Sequence, residues 1–203
     1  DSALNSEVPV SFVATNNVEA GIKAGREIDG LVPGDRPIAI VSHIPEVATA
    51  IEREEGVREA LSHRDERLIL DTFYTENEPE RAYAYTRELV AEYPNLGGIV
   101  ALNENSTVGV GRALRDLNVY EQVPLVGFDN SQEEIRFLEE GVIRALVVQR
   151  PFNMGYLGIR AVVQALRGGA VDPVIYTDSV LVRKDEIFTE ENQKLLFPLV
   201  ESN

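Results

Sequence analysis

The sequence predicts a doubly wound α/β fold built on a parallel sheet. Short apolar runs alternate with longer segments of helical periodicity, and this β-α unit returns about every 25 to 30 residues, as repeated right-handed crossovers require. The apolar runs have no polar face, which is typical of strands that are buried on both sides of a parallel sheet. Hydrophobic residues make up 44% of the 203 residues, enough for an ordinary globular core.

The first β-α unit is visible at the start of the chain. Residues 8–15 alternate loosely between apolar and polar positions, which predicts a strand. Apolar residues then recur at helical spacing, with Asn16 or Asn17 in position to cap the helix. Gly21 and Gly25 are four residues apart on one face of this helix. We therefore expect the helix to lie close against the sheet.

Further strands and helices alternate along the chain to residue 166. Pro79 stands in the first turn of one helix, and Gly168-Gly169 ends the last of the series. The predicted strands are residues 38–41, 68–70 with Phe73, 98–102, 125–126 and 145–148, and the predicted helices are residues 47–61, 79–93, 106–117, 131–140 and 151–166. Two short strands at 174–176 and 180–182 follow, and then a turn of helix with an apolar tail at 195–200 that we expect to dock.

Composition and charge exclude several classes of function. The formal net charge of −15 opposes binding to nucleic acid or to an anionic membrane. No window approaches the roughly eighteen uninterrupted apolar residues of a membrane helix. The opening residues lack the basic and apolar parts of an export signal, so we expect any such signal to lie outside this sequence. The absence of cysteine excludes disulfides and thiolate metal sites, and we expect no cofactor.

Three hydrogen-bonding side chains each follow a predicted strand: Asn103, Asp129 and Gln149. In an open parallel sheet, the carboxyl ends of the strands line the crevice in which ligands bind. Carboxylate and amide groups pair well with adjacent hydroxyl groups, which favours a sugar or polyol as the ligand. The alternative is a structural role, in which Asp129 caps the helix near Ser131 and Asn103 caps the helix near Ser106.

The patterns that suggest an enzyme or a metal site are weak. Gly109-Val-Gly111 lies inside a helical segment and lacks the third glycine of a dinucleotide-binding motif, which favours a role in packing. His43 and His63 have no cysteine or second histidine at metal-ligand spacing, so surface or loop positions are expected. Ser42 is not part of a nucleophile elbow. We therefore expect neither catalysis nor a metal.

Five segments in the same order resemble the sugar-binding proteins of ABC transporters, the ribose-binding-like branch of the type I periplasmic binding proteins. A short motif such as Gly-Phe-Asp is common by itself, but five in order over about 150 residues form a specific pattern. The segments are Thr15-Asn-Asn-Val-Glu-Ala-Gly21, Glu52-Arg-Glu-Glu-Gly56, Ala101-Leu-Asn-Glu-Asn105, Val126-Gly-Phe-Asp129 and Val148-Gln-Arg-Pro-Phe-Asn-Met-Gly155.

The resemblance implies a division into lobes, because this family has two similar lobes joined by crossing strands. Residues 1–15 would form the end of the N-terminal lobe and the first crossing strand. Residues 16–149 would be the complete C-terminal α/β lobe, and 150–175 a helix and a strand that belong to the N-terminal lobe. Residues 176–203 would be a crossing strand and a C-terminal tail. Most of the N-terminal lobe would then be missing from this sequence.

The same resemblance implies five ligand-binding residues. Asn103, Asp129 and Gln149 coincide with cleft residues of the family. Thr15 falls at the hinge, where the family often has a small hydroxyl residue near the ligand, and the alternative is an ordinary hydroxyl at a strand end. Asn77 falls where ribose-binding proteins have an aromatic cleft residue.

One position departs from the pattern of the family. Ile51 replaces an arginine that grips the sugar in these relatives, which argues against ribose itself as the ligand. Arg53 belongs to the shared pattern of this helix, where we expect it to serve the structure.

The expected function is a non-enzymatic, extracytoplasmic binding protein, either periplasmic or lipid-anchored at the cell surface. It would close two lobes over a sugar or polyol and present the closed form to an ABC permease. Two alternatives share the lobes. One is the effector-binding core of a LacI-type transcriptional repressor, and the other is a sugar-sensing receptor that acts on the membrane subunit of a signalling system.

Overall fold

The computed structural model describes residues 8–197, which form eight strands and seven α-helices. The strands are β1 (Phe12–Thr15), β2 (Ile38–Ser42), β3 (Phe73–Tyr74), β4 (Gly98–Ala101), β5 (Leu125–Phe128), β6 (Ala145–Val148), β7 (Val174–Thr177) and β8 (Val180–Arg183). The helices are α1 (Asn17–Leu31), α2 (Ala48–Ala60), α3 (Pro79–Glu92), α4 (Glu104–Asp116), α5 (Gln132–Glu140), α6 (Pro151–Leu166) and α7 (Glu190–Leu196).

The strands of the described residues form two sheets of unequal size. The larger sheet has the order β3-β2-β4-β5-β6-β8, in which β8 is antiparallel to β6 and the other pairs are parallel. The smaller sheet consists of β1 and β7, paired in parallel. The doubly wound α/β architecture expected from the sequence is therefore confirmed.

Helices cover both faces of the large sheet because its central strands are apolar on both sides. In β2, Ile38 and Ile40 pack into the core formed with α1 and α2. Their neighbours Ala39 and Val41 belong to the opposite core, which includes residues of α3, α4 and α5. Successive side chains of a strand point to opposite faces, so the continuous apolar run supplies two cores at once.

Local capping groups set the helix ends. The Asn16 side chain accepts a hydrogen bond from the backbone N–H of Glu19 at 3.1 Å, as expected for the start of α1. Ser131 and Glu134 form a reciprocal capping box at the start of α5. Gly141 ends α5 with a φ of 84°, in the left-handed region that glycine adopts without strain.

The strand predicted at residues 68–70 is wrong. Glu66–Leu68 form a turn of 3-10 helix, and Ile69 makes an isolated bridge to Ile38, so the edge strand is reduced to β3. The side chain of Asp65 accepts a hydrogen bond from the N–H of Arg67 at 3.1 Å, and such local bonds compete with sheet pairing. A strand at the edge of a sheet pairs with one neighbour only, so sheet pairing at residues 68–70 would add too few hydrogen bonds to outweigh these local ones.

Helix α1 lies against the sheet as expected, since Ala20, Ala24 and Ile28 share a core with β2, but Gly21 and Gly25 face another helix rather than the sheet. A Cβ atom at Gly21 would collide with the backbone carbonyl of Arg53 in α2. From the opposite side, a Cβ atom at Gly56 would collide with the carbonyl of Val18. Because both helices have glycine at the contact, the backbones of α1 and α2 pack directly against each other.

The other glycine pair has the packing role expected from its position inside a helix. A Cβ atom at Gly109 would overlap the carbonyl of Pro79 in α3, and one at Gly111 would lie 2.7 Å from the Phe137 ring of α5. Both glycines therefore allow α4 to pack between its neighbours.

Helix α6 packs on the small sheet and exposes much of its apolar surface. Phe152 and Leu166 are 81% and 83% exposed, and Ile159 is similarly open. In the described residues β1 and β7 pair only with each other. The elements assigned to the N-terminal lobe thus form a small, partly covered unit, although residues 1–7 of the first segment lie outside the described residues.

The C-terminal tail docks on the large sheet over the part that the structure describes. Leu196 is buried in the core, and Leu195 and Phe197 pack partly against it. Leu199 and Val200, which the sequence also assigns to the apolar tail, lie outside the described residues.

We expect Gly21→Ala to lower the free energy of unfolding by roughly 1–3 kcal/mol, because the new methyl group overpacks the contact between α1 and α2. Gly30→Ala is the matched control in the same helix. No atom lies within 4 Å of the Cβ position at Gly30, so this change should leave stability equal or slightly higher. Urea unfolding measures both, and equal shifts would contradict the close helix contact.

Candidate functional site

The carboxyl ends of the parallel strands in the large sheet carry four of the five candidate binding residues. Asn77 follows β3, Asn103 follows β4, Asp129 follows β5 and Gln149 follows β6. Hydrogen bonds connect them in two groups, Asn77 with Asn103 and Asp129 with Gln149, and Thr15 joins the second group. The fold therefore brings these polar strand ends to one edge, as expected from the sequence.

The Asp129 carboxylate lies between a neighbouring strand end and a helix N-terminus. Its Oδ1 accepts a hydrogen bond from Nε2 of Gln149 at 2.6 Å, and its Oδ2 accepts one from the backbone N–H of Glu104 at 3.1 Å. Glu104 is the first residue of α4, where the partial positive charge of the helix terminus favours an anion. Because Ser131 caps α5, the alternative that Asp129 caps that helix is wrong.

The backbone of Asp129 adopts a conformation that is uncommon for its residue type. Its φ of 78° lies in the left-handed region, as does the φ of 63° at Asn77. Such conformations are unfavourable for residues with a Cβ atom and often occur at binding sites. Here the hydrogen bonds to the Asp129 side chain stabilise the turn at the end of β5.

Gln149 is oriented by partners on both sides. Its Oε1 accepts a hydrogen bond from the Thr15 hydroxyl at 2.8 Å, while its Nε2 donates to Asp129. An ionised carboxylate only accepts hydrogen bonds, so this amide orientation satisfies both neighbours. Thr15 ends β1 and is fully buried, and its hydroxyl therefore positions the amide of Gln149.

Asn103 combines the two roles that the sequence left open. Its Oδ1 accepts a hydrogen bond from the N–H of Ser106 at 3.2 Å, so it caps α4. Its Nδ2 donates to Oδ1 of Asn77 at 2.7 Å across the edge of the sheet. Asn105 also donates to the Asn77 carbonyl oxygen at 2.9 Å, which holds the exposed Asn77 beside α4.

A buried arginine lies beneath the candidate site. Arg53 is only 3% exposed, and its Nη1 donates to the carbonyl oxygen of Leu102 at 2.8 Å. Its guanidinium carbon is 4.7 Å from the centre of the Phe128 ring. Burial lowers the pKa of Arg53, and the charge of Asp129 opposes that shift. Arg53 thus has the structural position expected, whereas Ile51 is 50% exposed on the same helix.

His43 lies in a loop, one of the two positions expected for it, but the sequence reasoning missed that it is buried. It directly follows β2 and is 8% exposed. Its Nε2 lies 3.0 Å from Oγ1 of Thr49, while its Nδ1 has no hydrogen-bond partner within residues 8–197. Burial lowers the pKa of His43, the charge of Arg53 lowers it further, and Asp129 acts in the opposite direction. A neutral imidazole is therefore favoured at this position.

Two glutamates near Asp129 have raised pKa values. Burial raises the pKa of Glu104, and the adjacent charge of Asp129 adds to that shift. Glu134 is fully buried, and burial raises its pKa to about 9 even though hydrogen bonds from Ser131 act in the opposite direction. Its Oε1 has no partner among the described residues. The start of α5 therefore contains a protonated carboxyl at neutral pH.

Membrane-spanning helices and clusters of metal-ligating side chains are absent from residues 8–197. No helix there combines the length and apolar character needed to cross a membrane. No group of three or more His, Cys, Asp or Glu side chains in this part of the chain has a geometry that would hold a metal ion.

Comparison with known proteins identifies the family. Residues 1–170 match the family model described as the periplasmic binding protein domain. The chain belongs to the periplasmic binding protein family. It spans about half the length of the curated relatives described below.

Three similar proteins illustrate the functions found among the relatives. The D-allose-binding periplasmic protein of Escherichia coli is 27% identical over 165 residues, which cover 81% of this chain and 53% of that protein. The HTH-type transcriptional regulator CelR of Thermobifida fusca is 27% identical over 175 residues, which cover 83% and 49%. An ABC transporter solute-binding protein of Agrobacterium vitis, solved with bound D-fucose, has a TM-score of 0.90 and 27% identity, with coverage of 97% and 69%.

We expect Glu134→Gln to flatten the dependence of stability on pH. A carboxyl with a pKa of about 9 when folded and an ordinary value of 4.5 holds a proton that is released on unfolding between these pH values. The parent should therefore lose stability as pH rises from 5 to 8, by at most about 1.4 kcal/mol per pH unit. The glutamine variant should be more stable than the parent at pH 8.

Glu133→Gln is the matched control for this experiment. A hydrogen bond from Arg112 lowers the pKa of Glu133, so this residue stays ionised between pH 5 and 8 in both states. Urea unfolding at several pH values should give the Glu133→Gln variant the slope of the parent. The interpretation of Glu134 is wrong if its glutamine variant also keeps that slope.

Proposed function

We propose that this chain is the ligand-binding part of an extracytoplasmic solute-binding protein that captures a sugar or related polyol for ABC transport. The observation that carries the proposal is the placement of Asn103, Asp129 and Gln149 along one edge of the sheet, in a family whose relatives include sugar-binding proteins. An ABC permease is the proposed partner in the membrane. The proposed location is the periplasm or, for a lipid-anchored protein, the cell surface.

The chemistry of this edge suits a polyhydroxylated ligand. Each Asp129 oxygen accepts one hydrogen bond from the protein, and a carboxylate oxygen has capacity for a second. Gln149 has a second N–H on the amide group that already donates to Asp129. These groups can pair with adjacent hydroxyls at defined angles, and binding without chemical conversion requires nothing more. We therefore propose a non-enzymatic function.

A second lobe is the proposed cover for the small unit formed by β1, β7 and α6. Three observations support it: the exposed apolar face of α6, the lack of further partners for β1 and β7 within residues 8–197, and the greater length of the curated relatives. The proposed lobe boundaries are those given by the resemblance, with residues 16–149 as the C-terminal lobe. A ligand that contacts both lobes would stabilise their closed arrangement.

The crossing segments have contacts that suit a hinge. The Arg150 side chain lies 3.2 Å from Asp178 and 3.1 Å from Glu191, and the N–H of Asn16 donates to the carbonyl oxygen of Thr177 at 3.0 Å. These contacts lie close to Gln149. Movement of the crossing segments would therefore change the position of Gln149 at the binding edge.

The identity of the sugar is a separate proposal. Ile51 argues against ribose because it supplies no charge where ribose-binding relatives have an arginine. D-Allose, the sugar in the name of one similar protein, and D-fucose, the sugar bound in the structure of another, are therefore the first ligands to test, together with other aldoses, polyols and disaccharides.

The effector-binding core of a transcriptional repressor is the second candidate function. The similarity to a transcriptional regulator over 175 residues favours it, because such regulators use the same lobes. The net charge of −15 means that DNA binding would need a separate basic domain. A sugar-sensing receptor of a signalling system is the third candidate. Sequencing the gene upstream of Asp1 distinguishes an export signal from a DNA-binding domain.

We expect Asp129→Ala to weaken sugar binding on the order of 30- to 1,000-fold in the two-lobe protein, because sugar hydroxyls would be buried without a charged acceptor. The change also leaves Nε2 of Gln149 and the N–H of Glu104 without their partner. A thermal-shift screen of sugars identifies the ligand, and calorimetry measures its affinity for parent and variant.

Asp35→Ala is the control, because Asp35 is exposed in the loop that precedes β2, at the opposite edge of the sheet. It should bind the ligand like the parent. If no sugar in the screen stabilises the protein, the ligand class is wrong. If Asp129→Ala binds the ligand as tightly as the parent, Asp129 is only a structural residue.

We expect the 203-residue chain without a second lobe to bind an apolar dye and to self-associate through α6. Replacing both Phe152 and Ile159 with serine should reduce dye fluorescence and the mass measured by light scattering. Phe188→Ser is the control, since Phe188 is 65% exposed on the larger unit. A parent chain that is monomeric and binds no dye would contradict the proposed lobe interface.

A further inference from the structure

The strand order shows that one position of the binding edge remains unassigned. Along the sheet the order is β3-β2-β4-β5-β6, and polar candidate residues follow β3, β4, β5 and β6. The carboxyl end of β2 therefore lies between the carboxyl ends of β3 and β4. The residue there is His43, which directly follows its strand in the same way as Asp129 and Gln149.

The backbone contacts of His43 keep it at this edge. Its carbonyl oxygen accepts a hydrogen bond from the N–H of Glu76 at 2.8 Å, just as the Ser42 carbonyl accepts one from Thr75 at 2.9 Å. These bonds continue the pairing of β2 with β3 beyond the strands themselves. His43 is therefore fixed next to the turn that carries Asn77.

One ring nitrogen of His43 has a protein partner and the other does not. Nε2 pairs with the Thr49 hydroxyl at 3.0 Å at the start of α2, and Nδ1 is buried without a partner in the described residues. A buried polar atom without a partner is unfavourable, and such atoms are rare in folded proteins unless a ligand or water completes them. The strand order places His43, the residue that carries this unpaired nitrogen, at the binding edge.

We propose that His43 is an additional ligand-binding residue, whose Nδ1 forms a hydrogen bond with a hydroxyl group of the bound sugar or polyol. The inference rests on the proposed sugar-binding function and adds a specificity-determining residue to it. Hydroxyl groups such as that of Thr49 both donate and accept, so either neutral tautomer of His43 keeps the Thr49 contact. Nδ1 can consequently act as donor or acceptor toward the ligand.

This role also fits the departure at Ile51. Ile51 lies in the same helix as Thr49 and supplies no polar group, so a different residue has to provide the directional contact that the arginine of the relatives makes.

Two substitutions separate ligand binding from a purely structural role. In His43→Asn, the amide group takes the approximate place of Nδ1 and the Thr49 contact is lost. In His43→Gln, the amide reaches the place of Nε2, which keeps the Thr49 contact and removes the Nδ1 group. We expect the glutamine variant to bind the best sugar of the screen roughly 5- to 50-fold more weakly than the parent. The asparagine variant should bind this sugar more tightly than the glutamine variant. His63→Gln, at an exposed histidine near Asp29, is the control.

The measurement is calorimetry on the two-lobe protein with the sugar that gives the largest thermal shift. A glutamine variant that binds like the parent, or an asparagine variant that binds more weakly than the glutamine variant, overturns the proposal and leaves the proposed function intact. If no sugar gives a thermal shift, the proposed function itself is wrong.

Nitrogen-15 NMR of the parent protein decides the matter if both variants fail to fold. The His43 signals are assigned by substituting the other histidines of the two-lobe protein one at a time, starting with His63→Gln. Addition of the same sugar should shift the His43 Nδ1 resonance and leave His63 unchanged. An unchanged Nδ1 resonance at saturating sugar would overturn the proposal.

Discussion

The arrangement of the candidate site depends on the Asp129 carboxylate and its two donors. The amide of Gln149 comes from the neighbouring strand, and the N–H of Glu104 opens the helix that follows the strand on the other side. Because these donors belong to different β-α units, the carboxylate connects three adjacent units at the edge where they meet. The left-handed backbone of Asp129 is tolerated because the surrounding bonds hold it.

The position of the buried Arg53 charge beneath this edge depends on how α2 packs. The contact between α1 and α2 at Gly21 and Gly56 sets how deeply α2 lies, and α2 carries Arg53 into the core. There the guanidinium group stacks on Phe128 and bonds to the carbonyl of Leu102, the residues that precede Asp129 and Asn103. A buried cation of this kind needs fixed partners, so it holds the ends of β4 and β5 in place.

The sequence predicted those parts of the structure that depend on local pattern. The strands before Asp129 and Gln149 are continuous apolar runs, and the parallel topology then requires their polar ends to share one edge. His43 was missed because its importance depends on the position of β2 between β3 and β4, which no local pattern contains. The prediction of a strand at 68–70 is wrong for a related reason, since only the tertiary structure reveals that these residues lie at the edge of the sheet.

The hydrogen bond between Thr15 and Gln149 connects the binding edge to the small sheet. Thr15 ends β1, whose partner is β7, whereas Gln149 ends β6 of the large sheet. A shift of the small sheet relative to the large one would therefore move or release the amide that orients Asp129. The reverse must also hold, since a ligand that stabilises one orientation of Asp129 and Gln149 favours the arrangement of the sheets that produces it. Ligand recognition at the proposed site and the relative position of the two units would in this way be parts of a single equilibrium.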